Sequence, residues 1–134
     1  MSSLMALPEA DKVTTCERFV GAMSLVTAYA LLRLPFPMVT KTVPFIGRRA
    51  RPASLPDGQA AVSAVRHAAH WFPGRAACLE TSLGAVIAAR LHGRRLDWCI
   101  GARTLPYAAH AWVEADRHPV GEPPDRPYLL LQRI

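Results

Sequence analysis

Cysteine, histidine and carboxylate are the residue types here that can do covalent chemistry near neutral pH. The chain has three cysteines: Cys16, Cys78 and Cys99. Cys78 falls in the first turn of a predicted helix. Unpaired N–H groups and the helix dipole favour a thiolate at such a place. The same amides are suited to holding an oxyanion. Arg75, one turn upstream, adds positive potential. A cysteine packed as a small hydrophobe would need none of this. His110 lies on a later, predicted strand, followed by Ala111 and Trp112. A lone histidine is more often a hydrogen-bonded core residue. A Cys at a helix start with a His on a following strand is the arrangement a thiolate–imidazolium pair requires, so the pairing carries the reading.

A base of this kind is oriented by a third group. Asp116 is six residues beyond His110, about 20 Å along an extended strand at roughly 3.3 Å per residue. Glu122 belongs to the predicted returning strand. A hairpin centred near Asp116 sets Glu122 opposite His110, with Cβ atoms about 5 Å apart. Glu122 is the expected third member and Asp116 the alternative. Glu114 shares the face of His110, but two residues along a strand is an awkward distance. Trp112 reads as a wall beside His110, or as a plain core residue. Ser82, one turn after Cys78, either faces the site or bonds its own helix. Cys16 and Cys99 sit in apolar surroundings and read as packing residues. His67 and His70 are at i, i+3, but there is no H-E-x-x-H and no third ligand at an obvious spacing, so no metal is expected.

The elements that must position these groups follow from periodicity. Residues 9–34 read as one long helix, ended by Pro35. Residues 37–47 form a short second helical piece, and 48–57 a basic, proline-containing linker. Asp57 is placed to cap a helix over about 58–71. After the Pro73-Gly74 turn, a helix over about 76–91 shows Leu79, Leu83, Val86, Ile87 and Leu91 on one face, and His92-Gly93 ends it. The period then changes from 3.6 to 2. Leu96, Trp98, Ile100 and Ala102 alternate with polar or small residues. A second strand over about 108–115 sets His110, Trp112 and Glu114 on one face. Asp116 to Pro119 is a turn, residues 120–122 a short strand and 128–131 a last one. Helices first and an antiparallel sheet afterwards define an α+β fold with the helices on one face of the sheet.

The chain has 134 residues, enough for a single domain: an N-terminal helical region and linker over 1–57, then a catalytic core over 58–134. About half its residues are apolar, which excludes general disorder. The net charge of +6 is carried mostly by scattered arginines, densest at Arg48, Arg49 and Arg51. No basic helix interleaved with aromatics marks a nucleic-acid binder. Three cysteines at irregular spacing, without C-x-x-C, are neither a disulfide framework nor a zinc site and point to a reducing, cytoplasmic setting. The apolar run over 19–32 is short of the about 20 residues a spanning helix needs. The mixed charges before it do not suit a signal peptide. It reads as a buried helix, or one docked on a partner or a membrane surface.

Three segments together resemble one family: Arg75-Ala-Ala-Cys78-Leu79-Glu80-Thr81-Ser82-Leu83, Ile100-Gly101-Ala-Arg103, and Ala109-His110-Ala111-Trp112-Val113-Glu114. The chain looks like a leader peptidase of lasso-peptide biosynthesis, a transglutaminase-like, papain-like cysteine protease. The match is good over about 58–122; before that it rests on helical character alone. The resemblance implies removal of the leader from a ribosomally made precursor peptide, after which a separate ATP-using macrocyclase closes the core. It implies Cys78 as nucleophile, His110 as general base, and Glu122 where the family usually has Asp. It implies no metal and no organic cofactor. With no room for a winged-helix module before residue 58, the chain looks like the stand-alone form, which relies on a separate small recognition protein for the leader. Two other readings use the same residues: transglutaminase-like acyl transfer to an amine, and a non-catalytic peptide-binding component of the maturation complex.

Overall fold

The computed structural model describes residues 15–46, 48–71, 78–104, 107–121 and 128–134. Helix α1, Thr15–Leu31, presents Gly21, Ser24, Leu25 and Ala28 to the core. It ends three residues before the expected boundary, in tight turns where Arg33 N–H donates to Ala30 and Leu34 N–H to Leu31, ahead of Pro35. Residues 9–14 of the expected helix lie outside the described residues. Gly21 sets the helix spacing: a Cβ there would lie 2.3 Å from the Ala64 carbonyl oxygen, so the two backbones touch. Helix α2, Phe36–Ile46, follows as expected and is seated by Val39 and Val43.

The expected linker contains a strand. β1, Arg51–Pro52, pairs in parallel with β2, Arg94–Arg95. Two-residue strands are too short to show a period, so the sequence carries no sign of this clasp. Helix α3, Leu55–Trp71, begins three residues before the expected start, because Ser54 and not Asp57 is its N-cap. Asp57 N–H donates to Ser54 Oγ (3.3 Å), and Ser54 N–H donates to Asp57 Oδ2 (3.2 Å). This is a reciprocal capping box. Arg94 Nε lies 3.2 Å from the same carboxylate and ties the box to β2.

The hydrogen bond from the Ser54 backbone, then that from its hydroxyl, hold the Asp57 carboxyl below its ordinary 3.8, with Arg94 adding to the effect. A depressed folded-state pKa stabilises above the unfolded value, and the gain is lost as pH falls through the folded value. Wild type should therefore melt above Asp57→Ala at neutral pH, and the gap should close as pH drops below 3.8. Thermal unfolding of both proteins down the acid arm checks this. A gap that persists in acid would mean the carboxylate charge contributes nothing.

Helix α4, Cys78–Leu91, differs from its expected one-sided pattern. Every residue from Ser82 to Ala89 is buried, while Leu91, assigned to the core face, is 61% exposed. A helix enclosed all round is a central helix. α1 and α3 flank it and the sheet closes the remaining side. Alanines and Gly84 let the neighbours approach; Gly84 lies against Val65 and Leu25. Gly93, at φ +76°, closes the helix in the left-handed conformation that glycine adopts without strain.

β3, Asp97–Thr104, and β4, Tyr107–Ala115, form the antiparallel centre of a four-stranded sheet in the order β5-β4-β3-β6. β5 is His118–Pro119 and β6 is Leu129–Arg133. The turn between β4 and β5 is only Asp116-Arg117, both at positive φ (52° and 64°). That is the type I′ geometry whose twist suits a two-residue hairpin. Leu96, Trp98, Val113 and Ala115 face the helices. The α+β class, with helices over a small antiparallel sheet, is as the sequence indicates.

Candidate active site

Cys78 is the first residue of α4 and is half-buried. It lines a cleft of about 50 Å³, together with Ser82 on the next turn, Arg66 of α3, and His110 to Val113 of β4. The two residues singled out as nucleophile and base thus border one space. Pairing explains how: β5 meets β4 only at Glu114 and Ala115, with one further bond from Val120 N–H to the Val113 carbonyl. Among the described residues β4 is therefore an edge along 110–112, where both of its faces are reached from one cleft.

His110 lies on the face away from the helices, with Trp112 and Glu114. Its ring stacks on Trp112 (centroids 5.8 Å, interplanar angle 23°) and meets Tyr128 at 4.9 Å. Trp112 is thus the expected wall. Behind it, Trp112 Nε1 donates to Glu114 Oε2 (3.0 Å), and Arg133 donates to Glu114 Oε1 (2.7 Å). The awkward two-residue offset of Glu114 is filled by the indole. Gly101, cross-strand partner of His110, gives the indole room: a Cβ there would fall 2.7 Å from the ring and 2.4 Å from the Leu129 carbonyl oxygen.

Ser82 serves two ends. Its hydroxyl donates to the Leu79 carbonyl (3.1 Å) and accepts from Trp98 Nε1 (2.8 Å), pinning α4 to β3. Arg66 Nη2 donates to the Gly121 carbonyl (3.0 Å), placing a guanidinium in the cleft wall. Arg66 and Tyr128 escaped sequence reasoning. Neither sits in a motif, and only folding brings them to β4.

Of the two expected carboxylates, Glu122 lies outside the described residues. Asp116 is exposed in the hairpin turn, beyond the far end of an unbroken β4. The hairpin centre falls between Asp116 and Arg117, with Ala115 paired to His118 and Glu114 to Pro119. That is one residue along from the register that set Glu122 opposite His110. Cys99 is fully buried, as expected, and its thiol is pushed up to about 12 by burial and by the nearby Glu114. Cys16 is exposed, contrary to the expected packing role, because it sits on the outer side of α1. Among the described residues no group of three or more His, Cys, Asp or Glu is placed to hold a metal.

Residues 22–129 match the family model described as the Transglutaminase-like superfamily, from inside α1 to the first residue of β6. The chain belongs to this superfamily. A transglutaminase-like domain has the fold of papain-like cysteine proteases and acyltransferases. Its match includes α4, β3 and β4, the elements that carry Cys78, Gly101 and His110. Searches of curated proteins and of solved structures give no significant match.

Proposed function

We propose that this transglutaminase-like protein is a cysteine peptidase that removes the leader from a lasso-peptide precursor. The observation that carries the chemistry is the shared cleft of Cys78 and His110. The motifs around both residues carry the substrate assignment. Cys78 gives its thiol proton to His110, and the thiolate Sγ attacks the carbonyl carbon of the last leader residue. Amides of the first turn of α4 face the resulting oxyanion. His110 passes a proton to the departing core amine as the C–N bond breaks, leaving a leader thioester on Cys78. His110 then takes a proton from water as that water attacks the thioester, releasing the leader acid and the free thiol. Glu122 is the proposed orienting carboxylate, with Trp112 and Tyr128 flanking the imidazole. The chemistry requires no metal or organic cofactor. Delivery of the leader falls to a separate small recognition protein, and the macrocyclase acts on the freed core. The setting proposed is cytoplasmic.

Mass spectrometry of a precursor incubated with this protein and the recognition protein tests the reading. The expected products are a leader ending in a free carboxylate and a core with a new amino terminus. A leader joined to an added amine would instead assign acyl transfer. Leader binding without turnover, unchanged in Cys78→Ala, would assign a binding component and overturn the peptidase.

A further inference from the structure

The positive charge of this chain is segregated, not scattered. From Arg18 to Pro56 there is no Asp or Glu, and six basic residues carry a charge equal to the whole net charge of +6. The remaining residues balance, at ten basic and ten acidic. All six cations of this segment are exposed: Arg18, Arg33, Lys41, Arg48, Arg49 and Arg51. The segment comprises most of α1, the whole of α2 and the approach to α3.

The same two helices expose large apolar side chains. Phe19, Met23 and Val26 stand at i, i+4 and i+7 along α1, with Phe19 67% exposed. On α2, Met38 and Phe45 are exposed, Phe45 at 70%, while Val39 and Val43 face inward. The outer side of α2 is thus apolar, the reverse of an ordinary surface helix. Its two hydroxyls are turned onto their own backbone, Thr40 to the Pro37 carbonyl (2.9 Å) and Thr42 to the Met38 carbonyl (2.8 Å). Lys41 alone carries charge on this helix. No helix among the described residues is long and apolar enough to cross a membrane.

We infer that α2, with the outer stripe of α1, docks the protein on an anionic lipid surface. An interfacial helix needs an apolar face, flanking cations and few unsatisfied polar groups; α2 and its surroundings supply all three. The absence of carboxylates over the whole segment fits a uniformly negative surface. Each Lys or Arg near such a surface strengthens binding about fivefold. Six cations and inserted Phe and Met side chains give the two signals that stable peripheral attachment requires.

Co-sedimentation of the full chain with phosphatidylcholine vesicles, with and without about one third phosphatidylglycerol, tests this. Two double variants accompany the wild type: Arg48→Gln/Arg49→Gln and Met38→Ser/Phe45→Ser. All four positions are exposed, and circular dichroism melts verify folding. Wild type should bind the anionic vesicles and not the neutral ones, and should be released by high salt. The arginine pair should weaken binding roughly 25-fold, and the apolar pair about tenfold or more. No sedimentation with anionic vesicles would overturn the inference. So would equal binding to neutral ones, or folded variants that bind like wild type. A face used for an acidic protein partner would show itself as the first of these failures.

Discussion

Cys78→Ala should abolish precursor cleavage, and His110→Ala should lower its rate about 10⁴-fold or more, since members of a nucleophile–base pair act as a unit. Neither change should matter much to folding. Cys78 is half-buried at a helix start, and His110 is in contact with rings that remain in place. Melting temperatures near wild type would separate lost chemistry from lost structure. Thiol labelling near pH 6 gives a readout without substrate. Cys99 should stay unmodified, being buried and pushed up to about 12. Cys16 is exposed and serves as the ordinary accessible thiol. Cys78 should label faster than Cys16, and His110→Ala should erase the difference. Cleavage that survives Cys78→Ala would end the peptidase reading. So would a Cys78 that labels no faster than Cys16 even with leader and recognition protein present.

The largest effect on stability is expected at Gly101. Gly101→Val would drive a side chain against the Leu129 carbonyl on one side and the Trp112 ring on the other, at 2.4 and 2.7 Å from the first added carbon. A carbonyl in a paired strand cannot yield without parting β6 from β3. The indole cannot retreat without losing its bond to Glu114. Overpacking of this kind costs about 3 kcal/mol or more, a fall in melting temperature of roughly 10 °C for a domain of this size. Gly93→Ala is the contrasting case. Nothing lies within 4 Å of its added carbon, so only the positive φ is penalised, at about 1 kcal/mol. If Gly101→Val melted no lower than Gly93→Ala, the close packing of Trp112 over β3 would be wrong. Activity of the folded Gly101 variant should fall as well, because Trp112 is the surface on which His110 rests.

The elements nearest the chemistry were the legible ones. The change of period after Gly93 marked β3 and β4, and the apolar stretch after Cys78 marked α4, because each is long enough to show its repeat. That was sufficient to set Cys78 at a helix start and His110 on a following strand, the two elements that border one cleft. Features set by neighbours were not legible. The one-sided reading of α4 failed because its other sides are lined by alanine and glycine, which pattern analysis counts as neutral and which here admit whole helices. The hairpin register was missed by one residue because Asp116-Arg117 adopts positive φ without the Asn or Gly that usually marks such a turn. The capping box at Ser54 and Asp57 was half seen: the right acid, at the third position of the helix and not at its cap. The arginines looked scattered because their clustering shows only against the distribution of the acids.

Burial of α4 on every side has a consequence for motion. Amides from Ser82 to Ala89 have no route to solvent by fraying or by release of one neighbour. They should exchange with water only when the domain opens as a whole. The thiol that begins this helix thus stands one turn before its fully enclosed stretch, whereas the residues facing it belong to a strand edge. If the proposed peptide substrate enters this cleft, the adjustment that admits it is expected on the β4 side. In this domain the proposed nucleophile adjoins the enclosed part of its helix, and the strand opposite it is an edge along 110–112 among the described residues.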